Sequence, residues 1–277
     1  MTLFHLPPTG FGPGSQPAEG EDELAYLPLP SGMRTYSAHL PEVEDTTGVT
    51  PALALLAEVA AACAIASTGG PGAEFDLAPL DAASRKLIAE TLGQGEVSMR
   101  LRGVPALMVQ ESVFAGVWAI AGTGVDRIEV APVPGAARAR AFAPFRQALT
   151  PTGTRPEGVV NAPALLAELT AKSLTWQPDE PPHVINLSLL PHTEDDLIWL
   201  DRMLGEGAVT ILSRGYGNCR ITATATPQVW RVQYFNSTDA LILDTFEVTS
   251  MPEVALAAPE DLTDSGARIL EVLEAIR

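Results

Sequence analysis

Apolar residues recur at helical spacing in two long stretches, and each stretch is followed by short runs of strand-like character. Thr50-Pro51 and Asn161-Ala162-Pro163 read as helix starts, a capping side chain with proline in the first turn. Phe75–Leu77 and Val184–Leu190 read as strands, each followed by a second helix, over about 81–92 and 193–204. In the later of these, Leu197, Leu200 and Leu204 share one face and Thr193 is placed to cap. Gly93 and Gly205 are expected to end the helices, because glycine enters left-handed backbone without a steric cost. Short strands are then expected at Val97–Arg102, Leu107–Val113, Val117–Ala121 and Ile128–Ala131. Later in the chain they are expected at Val209–Ser213, Arg220–Thr226, Val229–Phe235, Ala240–Asp244 and Phe246–Thr249. Ile269, Val272, Leu273 and Ile276 form the apolar stripe of a closing amphipathic helix.

The same order of elements appears twice, and the sequence itself repeats. Leu92-Gly93-Gln94-Gly95-Glu96-Val97 matches Leu204-Gly205-Glu206-Gly207-Ala208-Val209, 112 positions later. Without a gap the same offset carries Pro79 onto Pro191, Arg102-Gly103 onto Arg214-Gly215 and Val117-Trp118 onto Val229-Trp230. Leu55-Leu56-Ala57-Glu58 recurs as Leu165-Leu166-Ala167-Glu168 at 110, and Pro134 answers Pro252 at 118. Offsets that grow by a few residues are what loop insertions between fixed elements produce. The expected fold is therefore α+β: an internally duplicated unit of helix, strand, helix and antiparallel strands, its two copies in a pseudo-twofold arrangement. The expected boundaries are a Pro-rich acidic arm over 1–49, a first repeat over 50–134, a linker over 135–160 and a second repeat over 161–277 that includes the closing helix.

With 46% apolar and 18% charged residues, the 277-residue chain can build real cores. Its formal charge of −17 repels phosphate backbones and anionic lipid, which disfavours nucleic acid and membrane surfaces as partners. Two cysteines suit a reducing compartment. No signal-peptide pattern is seen near Met1, and the apolar run 51–66 is interrupted by Glu58 and reads as too short to span a bilayer. A soluble cytoplasmic protein without membrane insertion is the expectation.

Chemistry is sparse. His5, His39, His183 and His192 show no metal-ligand spacing, and no phosphate loop, nucleophile elbow or dinucleotide fingerprint occurs. No catalytic residue, metal site or cofactor is expected. The segment Ser213-Arg214-Gly215-Tyr216-Gly217-Asn218-Cys219-Arg220 stands out, with two glycines around a tyrosine and arginines beside them. It reads either as a hairpin turn or as a surface that recognises an extended or anionic segment, with Arg214 and Arg220 as paired donors. Glu111 to Trp118 is a second candidate, a strand with Phe114 exposed that could accept another strand at its edge. Trp118 and its counterpart Trp230 otherwise read as core residues.

The strings Ser213–Ile221, Val229–Asn236 and Leu243–Val248, continuing to Val254–Asp261, resemble the C-terminal region of the HupH/HyaF family of hydrogenase expression/formation proteins. Gln110-Glu111-Ser112 and Gly116-Val117-Trp118 are similar to that family's weaker N-terminal repeat. The resemblance implies an accessory role in maturing a NiFe-hydrogenase. The expected partners are the iron–sulfur small-subunit precursor and other maturation proteins, and the family brings no established catalytic residues. An alternative from another class is a redox or iron–sulfur carrier using Cys219.

Overall fold

The computed structural model describes residues 47–277 apart from Asp179, Tyr216 and Arg277, all within the unit that begins at His39. The arm expected at the start of the chain lies outside them as far as residue 46. Helix α1 (Thr50–Ser67) leads through β1 (Ala73–Asp76) to α2 (Ala82–Leu92). Four strands follow: β2 (Val97–Leu101), β3 (Leu107–Glu111), β4 (Val117–Gly122) and β5 (Val125–Val130). After the short α3 (Gly135–Arg140) come α4 (Ala162–Thr175), β6 (His183–Asn186) and α5 (Glu194–Leu204). Four more strands, β7 (Val209–Ser213), β8 (Asn218–Ala223), β9 (Val229–Phe235) and β10 (Leu241–Val248), precede α6 (Pro259–Ile276).

The ten strands of the described residues join one antiparallel sheet in the order β1-β5-β4-β3-β2-β7-β8-β9-β10-β6. The order reads the same from either end, with β2 and β7 meeting in the middle and the short β1 and β6 at the edges. At the central seam Val97 faces Ser213, Met99 faces Ile211 and Leu101 faces Val209. Mixed helices and antiparallel strands are thus present as the periodicity predicts.

Alternation along the strands sorts side chains onto two faces. On one face Met99, Leu101, Val109, Trp118, Ile211, Cys219, Ile221 and Trp230 make a core that α3 and Phe142 cover. Phe142 meets Trp230 edge-on at 5.3 Å between ring centres. Residues 135–160, read from sequence as a linker, therefore begin with a segment whose Ala137 and Ala141 are fully buried. On the other face two separate cores form. Helices α1, α2 and α6 enclose Phe114, Val117 and Ile128, while α4 and α5 enclose Ile185, Val229 and Phe246. Helix α1 is long and apolar enough to cross a membrane by composition alone. In this fold its Leu56, Val59 and Cys63 are fully buried in the core it shares with Leu262 and Ile269 of α6.

Several local expectations need correction. Leu187–Leu189 form a single 3₁₀ turn, so the strand expected over 184–190 stops at Asn186. The two strands expected over 240–249 are one strand with an irregularity between Leu241 and Leu243. Neither Thr50 nor Asn161 caps its helix as expected: Thr50 is already helical, and the Asn161 amide donates to the Pro191 carbonyl at 2.7 Å. The start of α4 is satisfied by Asp196, one of whose carboxylate oxygens accepts from the N–H groups of Val160, Asn161 and Ala162 at 2.7–2.9 Å. Its other oxygen accepts from Thr193, and the Thr193 hydroxyl accepts from the Asp196 N–H, closing a capping box on α5. Burial alone would raise the pKa of Asp196, but these four backbone donors outweigh it and hold the value down at about 2.

Candidate functional site

The turn between β7 and β8 is where the distinctive segment lies. Backbone pairing holds it from both sides: Ser213 faces Cys219, Asn218 faces Phe235, and the Arg214 N–H donates to the Glu96 carbonyl at 3.1 Å. Gly217 has φ +108°, a conformation any Cβ would strain, so the glycine is what lets the turn close here. Tyr216 lies outside the described residues. Gly215 sits close to the carboxylate of Glu96.

Strand alternation sends the side chains of this segment in opposite directions. Arg214, Asn218 and Arg220 are exposed, whereas Cys219 is buried in the core of the sheet. The Asn218 amide donates to Asp239 in the β9–β10 turn at 3.2 Å, and the Arg220 guanidinium lies 5.7 Å from the centre of the Phe235 ring. Together with Leu212 and Ser213 these residues line a cavity of about 420 Å³. A second cavity, of about 430 Å³, shares Leu212 and Arg220 with it and runs across Thr210 and Thr222 to Ser98, Arg100 and Met108. Among the described residues Arg100, Arg214 and Arg220 form no ion pair. Arg102, by contrast, is held by Glu206 at 2.8 Å, and the half-buried Arg231 bridges Asp201 and Asp244 at 3.0 and 2.6 Å.

Cys219 does not have the environment of a reactive thiol. Burial pushes its pKa up to about 11; a hydrogen bond with Tyr234 opposes this and the nearby Glu247 carboxylate adds to it. Among the described residues no group of three or more His, Cys, Asp or Glu side chains converges as metal ligands would.

The second candidate stretch is placed differently from expectation. Phe114 is buried rather than exposed, and β3 and β4 lie inside the sheet, so no strand edge is open there. Trp118 is fully buried with its indole N–H donating to the Ala131 carbonyl at 2.8 Å. Glu111 is buried too, and accepts from the Gly116 N–H at 3.2 Å. Desolvation raises its pKa to about 7; its backbone bonds oppose the rise, and the Glu96 and Asp261 carboxylates add to it. No pattern in the sequence separates such a carboxyl from a solvated one.

The family model described as HupH hydrogenase expression protein, C-terminal conserved region, matches residues 49–143 and 159–276. The chain belongs to the HupH family of hydrogenase expression proteins. It is 71% identical to the hydrogenase expression/formation protein HupH of Rhodobacter capsulatus, across the full length of both chains. It is 46% identical to HoxQ of Cupriavidus necator, another hydrogenase expression/formation protein, over 99% of this chain and 98% of that one. A solved HupH from Thiobacillus denitrificans is 31% identical, covering 42% of this chain and 94% of its own, with a TM-score of 0.37. The segments that carry the family match thus include both the β7–β8 turn and the buried β3–β4 stretch.

Proposed function

We propose that this HupH-family chain is a non-catalytic cytoplasmic accessory protein of NiFe-hydrogenase maturation. It docks the iron–sulfur small-subunit precursor, and with it other maturation proteins, on the face presenting Arg214, Asn218 and Arg220. The observation that carries this is the set of exposed arginines, without ion pairs among the described residues, around a cavity in a protein of charge −17. Arginine is among the side chains that most often supply interface energy, and its planar fork suits carboxylates and carbonyls. A carrier role for Cys219 finds no support in its surroundings, where burial keeps the thiol protonated.

We also infer that the chain is one structural unit carried twice, over 50–134 and 161–277, with 135–160 connecting the copies. Hydrogen bonds recur between matched atoms in support. The bonds Ser112 N to Val117 O, Gly95 N to Glu111 O and Val113 N to Leu92 O return as Thr224 N to Val229 O, Gly207 N to Ala223 O and Ala225 N to Leu204 O. Across the seam, Arg102 N to Ala208 O is answered by Arg214 N to Glu96 O. That is the exchange a twofold axis between Met99 and Ile211 makes.

The docking reading is tested by the double variant Arg214→Ala with Arg220→Ala, mixed with tagged small-subunit precursor. Both residues are exposed, so the variant is expected to melt like the wild type while co-purification of the precursor falls at least tenfold. Retention of the precursor at the wild-type level by a folded double variant overturns the site.

A further inference from the structure

The four central strands, β3, β2, β7 and β8, bury their side chains on one face and, among the described residues, leave the other uncovered. Two rows of residues cross that open face, set by the strand registers. One row runs Met108, Arg100, Thr210, Thr222, and the other runs Gln110, Ser98, Leu212, Arg220. Arg100 and Arg220 are exposed, and Met108 and Leu212 are 56% and 39% exposed. Each half of the chain thus supplies one arginine and one large apolar side chain. One end is closed by the ion pair of Arg102 with Glu206, and Phe145 lies 4.4 Å from the Arg102 guanidinium carbon. The other end opens into the cavity of the β7–β8 turn, because Leu212 and Arg220 line both.

We propose that this face binds an acidic polypeptide segment in extended conformation, with two carboxylates flanking one apolar side chain. This deepens the docking reading above and rests on it for the β7–β8 end. Charge complementarity chooses the occupant: two guanidiniums without ion pairs among the described residues, on a molecule that is otherwise strongly acidic, fit carboxylates. Geometry sets the spacing. Arg100 and Arg220 stand two strands apart across the sheet and two residues apart along it, which puts their Cα atoms about 12 Å apart. An extended chain covers about 13 Å in four residues, so carboxylates at i and i+4 reach both arginines. The side chain at i+2 projects from the same face, onto Leu212 of β7, the strand between the two arginines. Arg100 thereby becomes a binding residue in the first half of the chain, where the distinctive segment of the second half has no counterpart.

The test uses the full chain and a fluorescein-labelled eight-residue peptide with glutamate at positions two and six, leucine at four and threonine elsewhere. A second peptide replaces both glutamates by lysine. Fluorescence anisotropy is expected to give saturable binding of the glutamate peptide, weakened by salt, and none of the lysine peptide. Arg100→Glu and Arg220→Glu are each expected to weaken binding at least tenfold, and Leu212→Ser severalfold, with melting curves unchanged. Absence of binding by the wild type, equal binding of the lysine peptide, or wild-type affinity in a folded Arg100→Glu protein overturns the proposal. Precursor co-purification separates the two readings. If Arg100→Glu leaves the peptide bound while the Arg214→Ala, Arg220→Ala protein loses precursor, the central face is wrong and the turn site stands. If peptide binding depends on Arg100 but that double variant keeps the precursor, the turn site is wrong and the central face stands.

Discussion

Replacing Glu111 by glutamine is expected to make stability less dependent on pH, and the structure gives the size and sign of the change. Glu111 is buried, with a pKa of about 7 against an ordinary 4.5. The folded protein therefore holds a proton on this carboxyl between those values that the unfolded chain has released. Stability falls wherever the folded state binds more protons and pH rises, so the contribution is present below pH 4.5, declines through the window and is lost above pH 7. The full span corresponds to about 3 kcal/mol, at about 1.4 kcal/mol per pH unit. Glutamine keeps the shape and keeps an oxygen for the Gly116 N–H, but does not titrate. From pH 5.5 to pH 8 the gap between variant and wild type is expected to widen by about 2 kcal/mol in favour of the variant. In thermal melts that is about 4–8 °C for a chain of this size. The buried Glu129 and the half-buried Glu247 also have raised pKa values, so the wild-type curve falls for several reasons. The difference between the two proteins isolates Glu111. Parallel melting curves across this pH range would refute the assignment.

Four further outcomes are expected. Gln228 holds φ 60° where the matched position is Gly116 at φ 78°; Gln228→Gly relieves left-handed strain and is expected to gain up to about 1 kcal/mol. Gly116→Ala drives a methyl group into Leu262 of α6 and is expected to cost about 1–3 kcal/mol, both read from urea denaturation. Asp196→Ala leaves the start of α4 without its acceptor and is expected to cost about 2–4 kcal/mol, with faster amide exchange at Val160–Ala162 as the local readout. Cys63 and Cys219 are both buried with pKa values near 11, so neither is expected to react with a thiol reagent at pH 8 until the protein is unfolded, and prompt labelling of Cys219 would contradict its placement.

Periodicity and glycine positions made most of the elements legible. The helices ending at Gly93 and Gly205 have positive φ at those residues, and β7 and β9 begin and end where the alternation places them. What escaped was set by partners distant in sequence. Asp196 looks like an ordinary acidic residue in the first turn of a helix, and nothing local says that it also serves a helix more than thirty residues upstream. Phe114 read as exposed because a glycine and small residues surround it, whereas α6, some 150 residues later, closes over it. The arginines of the β7–β8 segment were visible as a charge anomaly. Arg100 was not, because its place beside Leu212 and across from Arg220 exists only once β2 pairs with β7.

The seating of α6 on α1 has a consequence for how the chain comes off the ribosome. Helix α1 has the length and greasiness of a membrane span, and α6, which shields one flank of it, is made much later. Roughly 200 residues lie between them, which at about 5–20 residues per second is about 10–40 s of synthesis. During that interval a nascent chain presents Leu56, Val59 and Cys63 without Leu262 and Ile269 over them. Premature termination anywhere before residue 259 makes that condition permanent. A message cut short would thus yield a polypeptide that translocation machinery and quality-control proteases can both read as unfinished, while a chain that includes α6 hides the signal beneath that helix.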